Sequence, residues 1–394
     1  MPVVLVFSRY FWPGYRAGGP VRSLVNLVRA LSNEYEFRVV CQDRDHLASS
    51  PYQGIERGRW QQWERATVFY EAPSRMRMAF YKSVLRDVQP DMIYLNSFFD
   101  RAFSIAPFLA LGRGKSTPML VTPRGEFSPG ALSLKSIRKQ TYLLLARQAR
   151  LYGHIYWHAC SEPEAHQIRN LFSTDGSHLF LASNMPGPAN GYMLQHDDKL
   201  ANRLRIVVVS RVVPMKNTLA AIRIASHLRG EVTLDIWGII EDASYWNACQ
   251  RQIAHCPSNV KVYYRGEIAH EQLSERLRDY DVMLLPTLGE NFGHAIVEAL
   301  MAGLPVIISD RTPWRNLASA GVGADLPIDN EDAFVQTLLR YQAMTEKEMA
   351  QERHKCRSYV AAWRSANQNL NDYQKMFKAV MASGRMPLCR VIHG

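Results

Sequence analysis

Cysteine is scarce. There are six in 394 residues and no CxxC pair, so neither a disulfide framework nor a zinc ribbon is indicated, and a reducing compartment fits. No run approaches the roughly 18 apolar residues that a membrane-spanning helix needs. The opening residues carry no basic leader and Arg9 interrupts their apolar run, which argues against a secretory signal. No GxGxxG follows either opening strand, which weakens a dinucleotide-dehydrogenase reading. Low-complexity tracts and short repeats are absent too. What remains is 47% hydrophobic and 21% charged, near the soluble globular average, and excludes a disordered or fibrous chain. At about 100–200 residues per domain, the length implies two or three domains.

The net charge of +11 is uneven. Residues 1–190 hold 23 Lys and Arg against 14 Asp and Glu, and residues 101–150 hold nine basic residues against the single acid Glu126. A one-sided basic half implies an anionic partner: nucleic acid, an anionic membrane surface or a phosphorylated substrate.

Short apolar, β-branched runs alternate with helix-length segments. Strands are expected near Val3–Phe7, Phe37–Cys41, Thr67–Tyr70, Met92–Leu95, Met119–Thr122 and Ile155–Cys160, and again near Ile206–Ser210, Val232–Trp237, Val260–Tyr264, Val282–Leu285 and Val306–Ser309. Continuous apolar runs of this length suit strands buried on both faces, and strand–helix alternation implies parallel sheets. The expectation is an α/β chain of two Rossmann-like, doubly wound domains facing a central cleft. The first covers 1–183, a Pro- and Gly-containing linker 184–203, the second 204–370, and a terminal segment 371–394 returns to the first. Both domains open alike, VVLVF into the loop Gly14–Gly19 and IVVVS into Arg211–Asn217. In doubly wound sheets such loops lie at the ligand-binding ends of the strands.

The densest constellation is Leu288 to Leu300, LGENFGHAIVEAL. Ala295–Leu300 reads as a buried helix, apolar nearly all round except for Glu298, whose carboxylate then needs a cation, backbone amides or ligand hydroxyls. If the helix nearly reaches Glu290, the two carboxylates lie roughly 12 Å apart along its axis. The amides of Phe292, Gly293 and His294, beside Asn291, fall between them, where the helix dipole favours a phosphate. That suits an elongated polyhydroxy ligand with anionic groups in its middle, such as a nucleotide diphosphate sugar. Equally, Glu290 reads as a surface acid and Glu298 as a structurally paired one. Arg211 and Lys216 could clamp a diphosphate and stabilise it as a leaving group, or be solvated loop cations.

Other matches are weaker. Asp43-Arg44-Asp45 has a metal-holding form but reads better as a solvated loop. Gly114-Lys115-Ser116 resembles the end of a P-loop, with Leu109 where its first Gly should stand. His154 and His158 are four apart in an expected strand, and read as structural. Lys135 to Tyr152 reads as an amphipathic helix, with Lys135, Arg138, Lys139, Arg147 and Arg150 on one side and Ile137, Leu144, Leu145, Leu151 and Tyr152 on the other, Leu143 being out of place. It is either an ordinary surface helix packed on its sheet or a face toward anionic lipid headgroups or a phosphorylated lipid acceptor.

Together these residues resemble the retaining glycosyltransferases of GT-B fold, in particular glycosyltransferase family four. The resemblance rests on GENFGHAIVEALMAGLPVIISD with Glu290 and Glu298, on SRVVPMKN at 210–217, and on the Gly18-Gly19 loop. It implies that Arg211 and Lys216 bind the donor diphosphate, Glu290 the donor sugar and Glu298 the nucleotide ribose. It also implies that Gly18 and Gly19 approach the donor from the other domain, and that the base lies against Gly266-Glu267-Ile268. No metal is implied. The family's His in the first-domain loop has no counterpart in Thr122–Gly130, which offers Arg124 and Glu126 on the acceptor side instead. The segment Asp310–Arg315, DRTPWR, is unusual for the family and has no assigned role.

The implied activity moves a sugar from a nucleotide-sugar donor to a saccharide or lipid-linked saccharide acceptor, in cell-surface polysaccharide biosynthesis. It is expected in the cytoplasm, at the inner face of the membrane if the basic helix meets lipid. Two rivals stand beside it: a nucleotide-sugar epimerase of the same fold, and a basic nucleic-acid-binding protein. The second would not explain a lone acid in an apolar helix, and the chain lacks interleaved aromatic stacking motifs.

Overall fold

The computed structural model describes residues 1–112, 117–133, 136–174, 176–187, 200, 202–367 and 369–384. Gly114-Lys115-Ser116, Lys135 and most of the expected linker (188–199 and 201) lie outside the described residues. The chain divides into two compact units, one made of 1–187 with 368–394 and the other of 188–367.

The first unit carries β1 (Val3–Phe7), β2 (Glu36–Gln42), β3 (Trp60–Trp63), β4 (Ala66–Glu71), β5 (Met92–Leu95), β6 (Met119–Val121), β7 (Tyr156–Ala159) and β8 (Leu179–Leu181). They form one sheet in the order β3-β4-β2-β1-β5-β6-β7-β8, parallel throughout except for β3 against β4. The second carries β9 (Arg203–Val209), β10 (Glu231–Trp237), β11 (Val260–Gly266), β12 (Val282–Leu285), β13 (Val306–Ser309) and β14 (Gly323–Leu326), all parallel, in the order β11-β10-β9-β12-β13-β14. Each sheet is covered on both faces, which is why β1, β5, β12 and β13 can be buried almost end to end. In each unit the strand order reverses beside the opening strand, between β1 and β5 and between β9 and β12. The structure adds three strands to the expected set, β3, β8 and β14. All three are edges, where one side goes unpaired and the apolar run shortens or mixes with Gln, Gly and Asp.

One face of the first sheet is closed by a helix that follows the second unit in sequence. Tyr373, Met376, Phe377, Val380 and Met381 of Asn369–Gly384 join Tyr35, Phe37 and the helix Gly19–Leu31 in one core. Phe377 packs edge-on against Tyr35 with ring centres 5.4 Å apart. Tyr373 lies 5.0 Å from the His158 ring.

His158 is fully buried and fixed as the neutral imidazole. Its Nε2 lies 2.8 Å from the Ala182 carbonyl and therefore donates, which leaves Nδ1 to accept from the Tyr94 hydroxyl at 2.9 Å. Burial, with the Arg124 charge acting in the same direction, lowers its pKa to about 3. An unfolded histidine takes up its proton near pH 6.5, so only the unfolded state is protonated between that pH and about 3. Stability of the first unit should therefore be complete above pH 6.5 and fall on acidification by up to about 1.4 kcal/mol per pH unit from this one group. Urea unfolding of wild type and His158→Asn at pH 7.5, 6 and 5 measures it. The variant should lose that share of the slope, and equal slopes would contradict the buried neutral imidazole.

Candidate functional site

In the second unit, β9 and β12 are neighbours, and the chain leaves their carboxyl ends in opposite directions. Loops from such a reversal lie side by side over an open crevice. Here they are stitched together, because the Met215 carbonyl accepts from the Leu288 amide at 2.9 Å and the Thr287 hydroxyl at 3.0 Å. That brings Lys216 and Glu290, 74 residues apart, into a half-buried ion pair. Arg211, on the same loop as Lys216, pairs with Glu241 at 2.5 Å. The site thus holds two cations, each paired with a carboxylate.

The helix of the constellation is His294–Met301, four residues shorter at its start than the 12 Å spacing assumed. Gly293 sits before it with φ 80°, and a Cβ there would meet the Ile296 Cδ1 at 2.7 Å, so only glycine turns the chain into this helix without strain. The amides of Ile296 and Val297 return to the Gly293 carbonyl. The positive end of the helix dipole lies here and attracts anions. Phe292, Gly293 and His294 are buried, and Asn291 is half-buried. Glu298 is also half-buried, not buried. It lies with Ala295 and Met301 on one partly covered stripe of the helix, with its Oε2 shielded from solvent.

The segment Asp310–Arg315, without a role in the sequence, touches this loop twice. The Arg311 carbonyl accepts from the Glu290 amide at 3.0 Å, and the buried Trp314 indole donates to the Phe292 carbonyl at 2.7 Å. At the proposed base loop, Gly266 ends β11 and its carbonyl accepts from the Gly238 amide at 2.8 Å, while Ile268 packs on the adjoining core.

In the first unit the glycine-rich loop is held by a carboxylate. Asp45 Oδ2 accepts from the amides of Tyr15 and Arg16 at 2.9 and 3.2 Å. Gly14 lies so close that a Cβ would stand 2.3 Å from the Tyr52 hydroxyl. Gly18 and Gly19 follow, starting the helix Gly19–Leu31. The expected solvated loop at 43–45 is corrected here. Both carboxylates are buried, Asp43 pairing with Arg44 at 3.0 Å and Arg57 at 3.4 Å, because one anchors the loop and the other neutralises neighbouring arginines. Among the described residues no group of three or more His, Cys, Asp or Glu is placed to share a metal ion. The reversal between β1 and β5 is also bridged by an ion pair, Arg9 with Asp100 at 2.5 and 3.1 Å. Burial works against the Arg9 charge and Asp100 more than offsets it. Neither residue stood out in the sequence, since the pairing spans 91 positions.

Arg124 and Glu126 are engaged inside the unit. Arg124 donates to Asn96 at 2.8 Å, Tyr94 at 3.1 Å and the Cys160 sulfur at 3.2 Å, and also to Asn184. Burial pushes the Cys160 thiol up to about 12, so it stays protonated. Glu126 accepts from the Ser97 hydroxyl at 2.7 Å and the amides of Phe98 and Phe99 at 2.6 and 3.0 Å. Burial raises its pKa against those bonds.

The basic helix is turned the other way from expectation. In Ser136–Gln148, Leu143 and Ala146 are buried, whereas Ile137, Leu144 and Leu145 are exposed by 80%, 56% and 58%. Lys139 is not on the open side; it reaches the Ala131 carbonyl at 2.6 Å and lies 5.2 Å over the Phe99 ring. The helical-wheel assignment failed because Lys139 and Tyr142 turn inward onto the aromatic loop Phe98–Phe99, which leaves Leu144 and Leu145 outward. The open face is an aliphatic stripe flanked by exposed Arg138 and Arg147, with exposed Arg150 beyond.

Residues 195–362 match the family model described as glycosyl transferases group 1. A stretch of 78 residues is 33% identical to the phosphatidyl-myo-inositol mannosyltransferase of Mycolicibacterium smegmatis, covering 19% of this chain and 20% of that protein. Among solved structures, Anabaena Alr3699/HepE in complex with UDP and glucose superposes with a TM-score of 0.67 at 15% identity, covering 96% of this chain and 99% of that one. Sucrose-phosphate synthase from Thermosynechococcus elongatus gives 0.69 at 16%, with the same coverage. The two reversed parallel sheets and the matched second unit agree: the chain has the GT-B fold, and its residues 195–362 form a domain of the glycosyl transferases group 1 type.

Proposed function

We propose that the chain transfers a sugar, with retention at the anomeric carbon, from a nucleoside diphosphate sugar to a saccharide or lipid-linked saccharide acceptor in cell-surface polysaccharide synthesis. The observation that carries this reading is the meeting of Lys216 and Glu290 beside the terminus of His294–Met301. An arriving diphosphate competes with Glu290 for Lys216. Lys216, Arg211 and the amides of Phe292–His294 then surround the phosphates, and Glu290 turns to the sugar hydroxyls. Glu298, farther along the same helix, suits the ribose. When the anomeric C–O bond breaks, its electron pair leaves with the diphosphate, where fixed cations stabilise the growing charge. The UDP held by HepE supports a nucleotide donor of this kind. No metal is needed in this scheme.

A panel of nucleoside diphosphate sugars screened by thermal shift tests the donor, because a ligand that binds the native state raises its melting temperature. With the donor found, Lys216→Ala should lower kcat on the order of 10²-fold, more than it weakens donor binding, since the diphosphate charge is larger in the transition state. A change confined to KM would contradict the leaving-group role. Activity should persist in EDTA; loss restored by a divalent cation would overturn the metal-independent scheme.

The lipid-linked acceptor draws support from the Ser136–Gln148 face. No helix among the described residues is long and apolar enough to cross a membrane. Exposed Ile137, Leu144 and Leu145 between Arg138 and Arg147 instead suit shallow burial among anionic headgroups. Each leucine or isoleucine fully buried contributes about 1.5–3 kcal/mol. The protein should sediment with anionic vesicles, retain part of that binding at high salt, and lose it in Leu144→Ser/Leu145→Ser while donor affinity stays unchanged. Equal binding by the double variant would remove this face from the membrane.

A further inference from the structure

The loop that carries Glu290 is gripped at two backbone points by one segment. Glu290 gives its amide to the Arg311 carbonyl, and two residues on, the Phe292 carbonyl takes the Trp314 indole N–H at 2.7 Å. Trp314 is 4% exposed and itself braced. The Thr312 hydroxyl accepts from its amide at 3.2 Å, and Trp363 lies 4.9 Å from its ring. Trp363 also stands 6.1 Å from the Phe292 ring, so the indole, the second indole and the phenyl form one packed cluster. Behind them, the Ser309 hydroxyl donates to the Thr287 carbonyl at 2.5 Å, tying the root of the segment to the root of the loop.

A trans peptide is planar, with its C=O and N–H pointing in opposite directions. Fixing the Phe292 carbonyl on the indole therefore fixes the Gly293 amide on the far side of the same plane. Gly293 has no side chain and sits at φ 80°, outside the helix that follows, so nothing intrinsic to the residue holds that plane in one orientation. We infer that Trp314 is a positioning residue for the donor diphosphate: its indole N–H orients the Phe292–Gly293 peptide so that the Gly293 amide meets a phosphate oxygen, while Arg311 holds the Glu290 end of the loop. The inference rests on the nucleotide-sugar reading above and names a further residue for that site. It also gives Asp310–Arg315 the role its sequence did not disclose.

Trp314→Phe keeps a ring against Trp363 and removes the donor. Isothermal titration with UDP, ADP and GDP, each beside its nucleoside, reads the effect. For the nucleotide that binds wild type, the variant should bind the diphosphate roughly tenfold more weakly, the scale of one buried hydrogen bond, and the nucleoside unchanged. Trp363→Phe, which leaves the indole hydrogen bond in place, should change the diphosphate affinity less than twofold. Unchanged diphosphate affinity in Trp314→Phe overturns the inference, and so does an equal loss for the nucleoside, which would mean general disruption of the unit. If Trp314→Phe does not fold, replacing the indole N–H at this position by sulfur in a ring of the same shape removes the hydrogen alone, with the same expected and overturning results. A wild type that binds none of the three diphosphates brings down the nucleotide-sugar reading itself, and is told apart because the failure precedes any substitution.

Discussion

The pairing of Lys216 with Glu290 depends on a reversal of strand order. Because β9 and β12 are hydrogen-bonded neighbours whose chains depart in opposite directions, two loops separated by 74 residues emerge at one place. A sheet wound in a single direction would carry them apart. The first unit obeys the same constraint between β1 and β5, where Arg9 and Asp100 meet. In both units an ion pair sits over the reversal.

Buried carboxylates do much of this holding. Asp45 takes two amides of the Gly14–Gly19 loop, Glu126 takes two after β5, and Glu164 bridges the amides of Gly125 and Cys160 at 2.5 and 2.7 Å. Each satisfies N–H groups that the loop cannot pair within itself, which fixes loop shape without a regular element. Arg124 then ties the ends of β5, β6 and β7 to one another through Asn96, Tyr94 and Cys160. The acidic residues that look like surface charges in the sequence are, in these loops, internal fasteners.

Much of this was legible beforehand, and the failures are physical. β12 and β13 were read to the residue, since a strand buried on both faces must be apolar along its whole length. β3 was not, because WQQW on an edge obeys no such demand. Lys216 and Glu290 stood out as residue types at strand ends, but their contact is a product of topology that no local pattern encodes. The orientation of Ser136–Gln148 escapes a hydrophobicity wheel, which credits Leu144 and Leu145 over Lys139, while the Phe99 ring accepts the lysine. Asp310–Arg315 carries its signal in Trp314. A tryptophan beside a proline, just past a buried strand, has a polar tip that must find an acceptor once the ring is covered.

The helix Asn369–Gly384 has a consequence for synthesis. It belongs to the first unit but is translated after the whole of the second. Until it leaves the ribosome, the core around Tyr35, Phe37 and Tyr94 lacks Tyr373 and Phe377, and a broad aromatic face stays wet. The second unit is one unbroken stretch and can close as soon as it emerges. Domains made earlier generally fold earlier; here the core of the first unit includes a helix that follows the second in sequence.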